Sequence, residues 1–265
     1  MALRGQALEN FKSALTITAD YHSHTTYSHG KGSIADNAQV ASSKGLEYLA
    51  ITDHAVRHPF IGVSPKKYDI MREDMKKVQE RFPDVRLLLG IEANVLGQNG
   101  DIDVSDEDAK RLDIVIAGYH LTSFPYRFSD YFNITWNALT RYAFKSTKGQ
   151  IARNTKMYVN AIKRHKIDIL THPGFRLDID YKEVGKVCAD YGTYVELSSR
   201  HRTPNDGNIE RLLATDCLFV LNSDAHRSED VGNCEFAKSL VEKFDIPRDR
   251  ISNIDGKKLD LRSRR

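Results

Sequence analysis

Short apolar runs recur along the chain, and each is followed by polar residues. Parallel strands that are buried on both faces appear in a sequence as continuous apolar runs of this kind. A parallel barrel gathers the carboxyl ends of its strands at one rim, where the residues that follow them meet. Seven runs fit this description: 16–21, 48–52, 87–91, 114–119, 167–171, 194–197 and 218–223.

Helical segments with recognisable ends alternate with these runs. Ser33 suits an N-cap and Gly45 a helix stop, while Pro65 suits the first turn of a second helix that Pro83 ends. Further helices are predicted at 180–191, 205–214 and 229–244. Such β-α alternation predicts a parallel sheet with right-handed crossovers. The fold class is therefore α/β, and seven strands favour a distorted (β/α)7 TIM-like barrel over the regular eight-stranded form.

A barrel commonly uses about this many residues, so residues 1–265 are predicted to form a single domain. One long, basic and aromatic segment, 124–164, breaks the β-α rhythm. Two interpretations stay open for it. It forms helices that cover the side of the barrel, or it forms a lid insertion over the rim. The residues up to Ala14 have weak helical character.

Composition narrows the function classes. The net charge is only +3, which argues against a nucleic-acid partner, and 262–265 is predicted to be a solvated tail. The sequence has no signal-peptide pattern and no run of ~18 apolar residues, so we expect a cytoplasmic protein without a membrane partner. Cys188, Cys217 and Cys234 lack CxxC spacing and are predicted to be buried free thiols.

The polar residues at the strand ends indicate a metal site. His22 and His24 are two positions apart on an extended chain, so both imidazoles face the same side. Asp224 and His226 repeat this spacing at the last strand, which barrel closure would bring beside the first. The other candidates follow intervening runs: His29, His54, Glu92, His120 and His172. Imidazoles and carboxylates without thiolates favour zinc, manganese or iron over magnesium or calcium.

Six motifs built on these residues resemble the successive motifs of the PHP (polymerase and histidinol phosphatase) superfamily. The resemblance spans nearly the whole chain and is closest to the stand-alone YcdX-like phosphatase branch. It implies a distorted (β/α)7 barrel with three metal ions and phosphoesterase activity. The motifs are DYHSHT at 20–25, ITDH at 51–54, GIEAN at 90–94, IAGYH at 116–120, THPG at 171–174 and NSDAH at 222–226.

The resemblance also implies three ligand sets, in which Glu92 bridges two ions. Many family members have aspartate where this chain has His29, although the YcdX-like branch also uses histidine near that point. The first ion would be held by His22, His24, Glu92 and Asp224, the second by His29, His54 and His226, and the third by Glu92, His120 and His172.

This chemistry suits phosphate ester hydrolysis, because clustered cations neutralise the phosphoryl group and lower the pKa of water toward ~7. We expect a phosphomonoesterase that hydrolyses a small phosphorylated metabolite or nucleotide through a metal-bridging hydroxide. Glu92, Asp53 and Asp224 are the candidate catalytic residues. Asp53 either orients a ligand imidazole or protonates the leaving oxygen, and the sequence leaves both roles open.

The same residues allow other functions. A PHP-type nuclease acting on phosphodiesters would use nearly the same metal chemistry, and a non-catalytic metal-stabilised module is the third interpretation. An amidohydrolase barrel also begins with two spaced histidines, but it places a carboxylated lysine after strand four, where this chain has His120.

The sixth run alone lacks a metal ligand at its end. Arg200 follows it, and a guanidinium binds phosphoryl oxygens with two parallel hydrogen bonds, so Arg200 is the first candidate for substrate binding. Arg227 and Arg176 are the next candidates. His58 and His201 lie near rim loops and are not predicted to be ligands, and Glu196 is expected to be a buried barrel residue.

Overall fold

The computed structural model describes residues 15–132, 139 and 145–261. Within them, seven parallel strands follow chain order, and each pairs with the next. The predicted (β/α)7 barrel is confirmed. The strands are β1 Ala19–Asp20, β2 Tyr48–Ile51, β3 Arg86–Asn94, β4 Ile114–Gly118, β5 Ile169–Leu170, β6 Tyr194–Ser198 and β7 Phe219–Asn222.

Eight α-helices lie in the described part of the chain, and the expected caps are present. Ser33 accepts a hydrogen bond from the Asp36 N–H, and Asp180 caps the helix that ends at Gly192, which has a φ of 69°. None of these helices is long and apolar enough to cross a bilayer. They are α1 Ile34–Ser43, α2 Tyr68–Arg81, α3 Asp106–Ala109, α4 Phe128–Asp130, α5 Lys148–Arg164, α6 Tyr181–Tyr191, α7 Asp206–Leu213 and α8 Glu235–Lys243.

The last helix begins at Glu235, so its predicted start at Glu229 is wrong. Residues 228–230 form a short 3-10 turn instead, and Gly232 adopts a φ of 71°. The Gly232 N–H donates to the buried carboxylate of Asp20 on β1 at 2.8 Å. In an α-helix this N–H would bond to the carbonyl four residues earlier, so the barrel contact and a longer helix exclude each other.

The interior of the barrel changes from apolar to charged along the strands. Alternate residues of a strand face the same side. On β3, Leu88 belongs to the apolar cluster inside the barrel, and Glu92 is buried four residues further on. On β6, Tyr194 and Glu196 repeat this change. The lower interior is therefore packed with side chains, and the buried charges collect toward the carboxyl end.

A short segment from the end of the chain fills the gap between β1 and β7. The first strand was expected to start at Thr16, but Ile17 forms an antiparallel bridge with Ile254 instead. Asn253 is fully buried, and its Nδ2 donates to Ala19 O at 2.8 Å and Leu221 O at 2.6 Å. Its Oδ1 accepts from Leu221 N at 3.0 Å. Toward the rim, β1 and β7 meet directly, because His24 N donates to Ala225 O at 2.8 Å.

The segment 124–164 divides into two parts. Arg57, in the loop after β2, donates through Nε to Phe124 O at 2.7 Å and stacks 4.1 Å from the Tyr126 ring, which places residues 124–126 beside the rim. Helix α5 packs against α6 as an ordinary crossover helix. The lid therefore stays a prediction for the part near the rim. Residues 133–138 and 140–144 lie outside the described residues, as do the N-terminal stretch to Ala14 and the tail 262–265.

Replacing Asn253 with alanine should destabilise the fold, because three buried backbone groups of β1 and β7 would lose their partner. We expect the free energy of unfolding to fall by about 3 kcal/mol, measured by urea denaturation. Asn233→Ala, at an exposed position, is the control and should change stability by less than about 0.5 kcal/mol. Equal stability of the two variants would show that Asn253 does not close the barrel.

Candidate metal centre

One buried carboxylate, that of Glu92, lies at the centre of a group of histidines. Its side chain is 1% exposed. Four of the imidazoles come from the ends of other strands, and the fifth, His24, lies two residues beyond His22. The distances to the Glu92 oxygens are 2.8 Å from His172 Nε2, 2.9 Å from His54 Nδ1, 3.3 Å from His120 Nε2, 3.4 Å from His22 Nε2 and 3.6 Å from His24 Nε2.

A second buried carboxylate, that of Asp224, faces the same histidines from β7. Its Oδ1 lies 3.2 Å from His24 Nε2, and 3.3 Å and 3.5 Å from nitrogens of His226 and His22. Asp224 adopts a φ of 54°, which is uncommon for a residue with a side chain. Closure of the barrel thus brings the two spaced pairs of the sequence together.

The structure also brings His29 to the site, although it lies in the loop after β1. Its ring centroid is 4.2 Å from that of His226 and 4.8 Å from that of His54. Gly30 makes this loop compact, because a Cβ there would lie 2.5 Å from His24 O.

Gly118 leaves room for the ring of His172. A Cβ at Gly118 on β4 would lie 2.7 Å from the His172 ring. The imidazole can therefore lie directly against the neighbouring strand.

The candidate metal ligands fall into groups that partly match the ligand sets implied by the family resemblance. His120 groups with His54 as well as Glu92, whereas the resemblance implied a set with His172. A group containing His201 was not predicted. Ligand atoms within 4.8 Å of one another are offered by His24, His29, His54 and His226; by His22, His24 and Asp224; by His54, Glu92 and His120; and by His172, His201 and Asp224.

Unpaired buried atoms show that these residues fit metal ions. Buried polar atoms are nearly always hydrogen-bonded, because an unpaired one costs about 1–3 kcal/mol. Within the described structure, buried atoms without a hydrogen-bond partner concentrate at this site, and their nitrogen and oxygen character suits zinc, manganese or iron. They include His24 Nδ1 and His172 Nδ1, together with His54 Nδ1, Glu92 Oε2 and Asp224 Oδ1, whose close contacts with one another and with neighbouring imidazoles lack hydrogen-bond geometry.

Most of the ionisation states also suit metal binding, which needs neutral imidazoles and ionised carboxylates. Burial and the charge of His24 lower the pKa of His29 to about 4 and that of His226 to about 3. Burial raises the pKa of Glu92, but the imidazoles of His120, His22 and His54 together hold it well below its usual range. His22 differs, because Asp224, Glu196 and Glu92 outweigh burial and raise its pKa, so a cation there would displace a proton.

A comparison with known proteins identifies the family. The family model described as the PHP domain matches residues 20–200. The chain belongs to the PHP family. A probable phosphatase of Thermoanaerobacter sp. (strain X514) is 30% identical over 251 residues, which cover 91% of this chain and 92% of that protein. A probable phosphatase of Shewanella sp. (strain MR-4) is 30% identical over 244 residues, covering 88% of this chain and 86% of that protein.

Solved structures of PHP proteins share the fold. The crystal structure of histidinol phosphate phosphatase from Lactococcus lactis subsp. lactis Il1403, complexed with zinc, L-histidinol and phosphate, superimposes with a TM-score of 0.60 at 15% identity. The match covers 92% of this chain and 98% of that one. At this identity the likeness concerns the barrel alone.

A buried carboxylate behind the histidines orients one candidate ligand. Glu196 is fully buried, as expected, and its Oε1 lies 2.8 Å from His22 Nδ1. It also accepts hydrogen bonds from His172 N at 2.7 Å and Asn222 Nδ2 at 2.9 Å. A carboxylate on one imidazole nitrogen fixes the tautomer and points the other nitrogen at the metal. Glu196 therefore positions His22.

The carboxylate of Asp53 binds the loop that follows β1. Its carboxylate accepts from Thr25 N at 2.7 Å, from Thr25 Oγ1 at 2.6 Å and from Ser28 Oγ. No hydrogen bond to a ligand imidazole is among the contacts described for it. Burial raises the pKa of Asp53. The contacts place Asp53 beside the loop that carries His29, which it braces, and both roles expected from the sequence stay predictions.

His201 is a residue of the site that sequence reasoning did not assign to it. Its Nε2 lies 3.0 Å from Asp224 Oδ2, while Asp224 Oδ1 faces the histidines. Its ring stacks on Phe175, with centroids 3.9 Å apart, and lies edge-on to His172 at 4.8 Å. The sequence signal for His201 was its position after β6, the one strand without a predicted metal ligand at its end. Position alone does not distinguish such a residue from a surface histidine.

The three candidate arginines have different surroundings. The positive charge of Arg200 is among the influences that lower the pKa of both His29 and His226, so it lies near that side of the site. Arg227 pairs with Glu229 at 2.6 Å, and both side chains are more than half exposed. Arg176 stacks on Phe175 at 5.1 Å, on the side of His201.

Substitutions of His201 test whether it positions Asp224. His201→Phe keeps an aromatic ring beside Phe175 but loses the N–H donor, so the affinity for metal should fall by roughly 10–100-fold. His201→Gln retains a donor of similar reach and should keep most of the affinity. Competition with a chelator measures both.

His165→Phe is the matched control, because this half-buried histidine precedes β5 at the opposite end of the barrel. If His201→Phe and His201→Gln bound metal equally well, His201 would have no positioning role.

Proposed function

We propose that the protein is a phosphomonoesterase that uses three divalent transition-metal ions, zinc, manganese or iron, to hydrolyse a small phosphorylated substrate. The observation that carries the proposal is the buried Glu92 carboxylate within 3.6 Å of five imidazoles. Membership of the PHP family and the similarity to probable phosphatases support it.

The ligand assignments follow the family resemblance, and the groups seen in the structure support them in part. When bound, the ions neutralise charge on the phosphoryl oxygens and lower the pKa of water. Glu92 is shared between two sets, so its loss would affect both ions. The first ion would be held by His22, His24, Glu92 and Asp224, the second by His29, His54 and His226, and the third by Glu92, His120 and His172.

The other residues position these ligands or the substrate. Glu196 orients His22, His201 orients Asp224, and Asp53 braces the loop of His29. Arg200 is the proposed phosphate anchor, since it lines a cavity together with Asp224 and its charge acts on the two histidines of the second ion. Residues 124–126, beside the rim, would narrow the approach and favour small molecules over polymers.

The first test removes the shared charge. Glu92→Gln keeps the size of the side chain but supplies a neutral amide, so bound metal should fall below three ions and kcat/KM for p-nitrophenyl phosphate should fall at least about 100-fold. Metal analysis and initial rates measure these effects, and chelator should abolish the wild-type rate. Glu107→Gln, at an exposed position, is the control.

Two outcomes would contradict the proposal. Near-normal metal content and rate in Glu92→Gln would exclude the shared-ligand assignment. Faster cleavage of bis-p-nitrophenyl phosphate or of a short oligonucleotide than of the monoester would favour the nuclease alternative.

The phosphate anchor is tested separately. Arg200→Met should raise KM and lower kcat/KM by roughly 10–1,000-fold with metal content intact, because the guanidinium would bind the transferred phosphoryl group. Arg227→Met is the matched control, since Arg227 already pairs with Glu229. Unchanged kinetics in Arg200→Met would remove Arg200 from this role.

A further inference from the structure

A cleft opens on the side of His201 that faces away from the metal centre. Its volume is about 510 Å³, which lies within the range of small-molecule sites. Phe175 and His201, stacked at 3.9 Å, line it, and His201 Nε2 lies 3.0 Å from Asp224. One imidazole ring therefore separates the cleft from a proposed metal ligand. Arg202 lines both this cleft and the neighbouring cavity that Arg200 and Asp224 line, so a substrate with its phosphate at the metal centre can extend its remaining part into the cleft.

The charged residues lining the cleft are mainly cationic. Arg176 comes from the loop after β5 and Arg202 from the loop after β6. Asp178 is the one carboxylate among the lining residues, and it accepts a hydrogen bond from Ser146 Oγ at 2.6 Å. Two guanidinium groups against one carboxylate leave the cleft positive.

A neutral donor adds to this lining. Thr203 Oγ1 is buried at the cleft and has no hydrogen-bond partner among the residues that the structure describes. Buried hydroxyls normally find partners, so an unpaired one beside an open cleft suits a bound ligand.

The backbone of these loops is unusual in the same place. Arg176 and Arg202 have φ values of 63° and 52°, and the proposed ligands His172 and Asp224 have values of 28° and 54°. A positive φ is costly for residues with side chains, and such residues cluster at functional sites where surrounding contacts hold them. Four of the seven positive-φ residues other than glycine recorded for the described chain lie around this cleft and the adjoining site.

We propose that this cleft binds a second anionic group of the substrate, a carboxylate or a further phosphate. Arg176 and Arg202 bind that group, while the phosphoryl group being cleaved lies at the metal centre. This inference rests on the proposed phosphomonoesterase function and adds the substrate class. It excludes as preferred substrates those phosphomonoesters whose remaining part carries only positive charge, since two guanidinium groups would repel them.

A matched pair of substrates tests the proposal. 6-Phosphogluconate and sorbitol 6-phosphate have the same six-carbon chain and differ at its far end, where one carries a carboxylate and the other a hydroxymethyl group. Neither is offered as the natural substrate. The wild-type enzyme should prefer 6-phosphogluconate in kcat/KM by roughly 10–100-fold, because the carboxylate forms charge-assisted hydrogen bonds.

The double variant Arg176→Met/Arg202→Met should reduce that preference to less than about two-fold, since the charge-assisted bonds to the carboxylate are then absent. Methionine has a Cβ and a side chain of similar length, so the cost of the positive φ at both positions is unchanged. The variant's metal content and melting temperature are checked beside the rates. Arg211→Met, which removes an exposed arginine from α7, is the control and should keep the wild-type ratio.

The outcomes separate the two proposals. If p-nitrophenyl phosphate and both sugar derivatives are not hydrolysed with added manganese or zinc, the phosphomonoesterase function itself is wrong. If they are hydrolysed but the wild type shows no preference for the carboxylate, or the double variant keeps the preference, the anion subsite alone is overturned. The wild-type ratio decides the matter even if the double variant does not fold.

Discussion

The burial of the Glu92 charge constrains much of this structure. A carboxylate removed from water is costly unless charges or hydrogen bonds compensate it. Here the compensation comes from imidazoles at the ends of four other strands and from His24. These strands must therefore end at the same height around the barrel axis. Glu92 itself lies on β3, the longest strand, which pairs with neighbours on both sides and holds the carboxylate in place.

Buried carboxylates that need hydrogen-bond partners also link the candidate metal centre to the closure of the barrel. The carboxylate of Asp20 accepts from Ser223 and from Gly232 N, and so ties β1 to the chain beyond β7. Asn222 accepts from Tyr21 N at 3.0 Å and donates to Glu196. Glu196 in turn holds His22. The polar groups that close the seam thus also orient a candidate metal ligand, so a barrel with an open seam would leave His22 without its positioning carboxylate.

The sequence predicted the features that depend on one strand and the residues just after it. Apolar runs located the strands, and the residues after them, from His22 to His226, meet at the rim because parallel strands converge there. His29 was also found, although its place depends on the folding of a loop around Gly30.

Features that depend on contacts between distant segments were not predictable in this way. Asn253 bonds to Ala19 and Leu221, and no local pattern around it indicates a role in the seam. The start of the last helix was misplaced because the Gly232 N–H bonds to Asp20, more than 200 residues away in sequence. His201 has an ordinary sequence context, and only the loop after β6 brings it to Asp224.

The candidate metal centre and the cleft beside it depend on different parts of the fold. The candidate metal centre is fixed by strand ends, whose positions follow from the sheet, and most of its residues lie within the matched PHP domain. The cleft beside it is built from two loops, after β5 and β6, and loops vary more readily than the strands that they connect. At 15% identity the similarity to the histidinol phosphate phosphatase shows a shared barrel alone, and one barrel can serve different substrates. In the proposed anion subsite, the charge of the residues lining the cleft, rather than the barrel, would select the substrate.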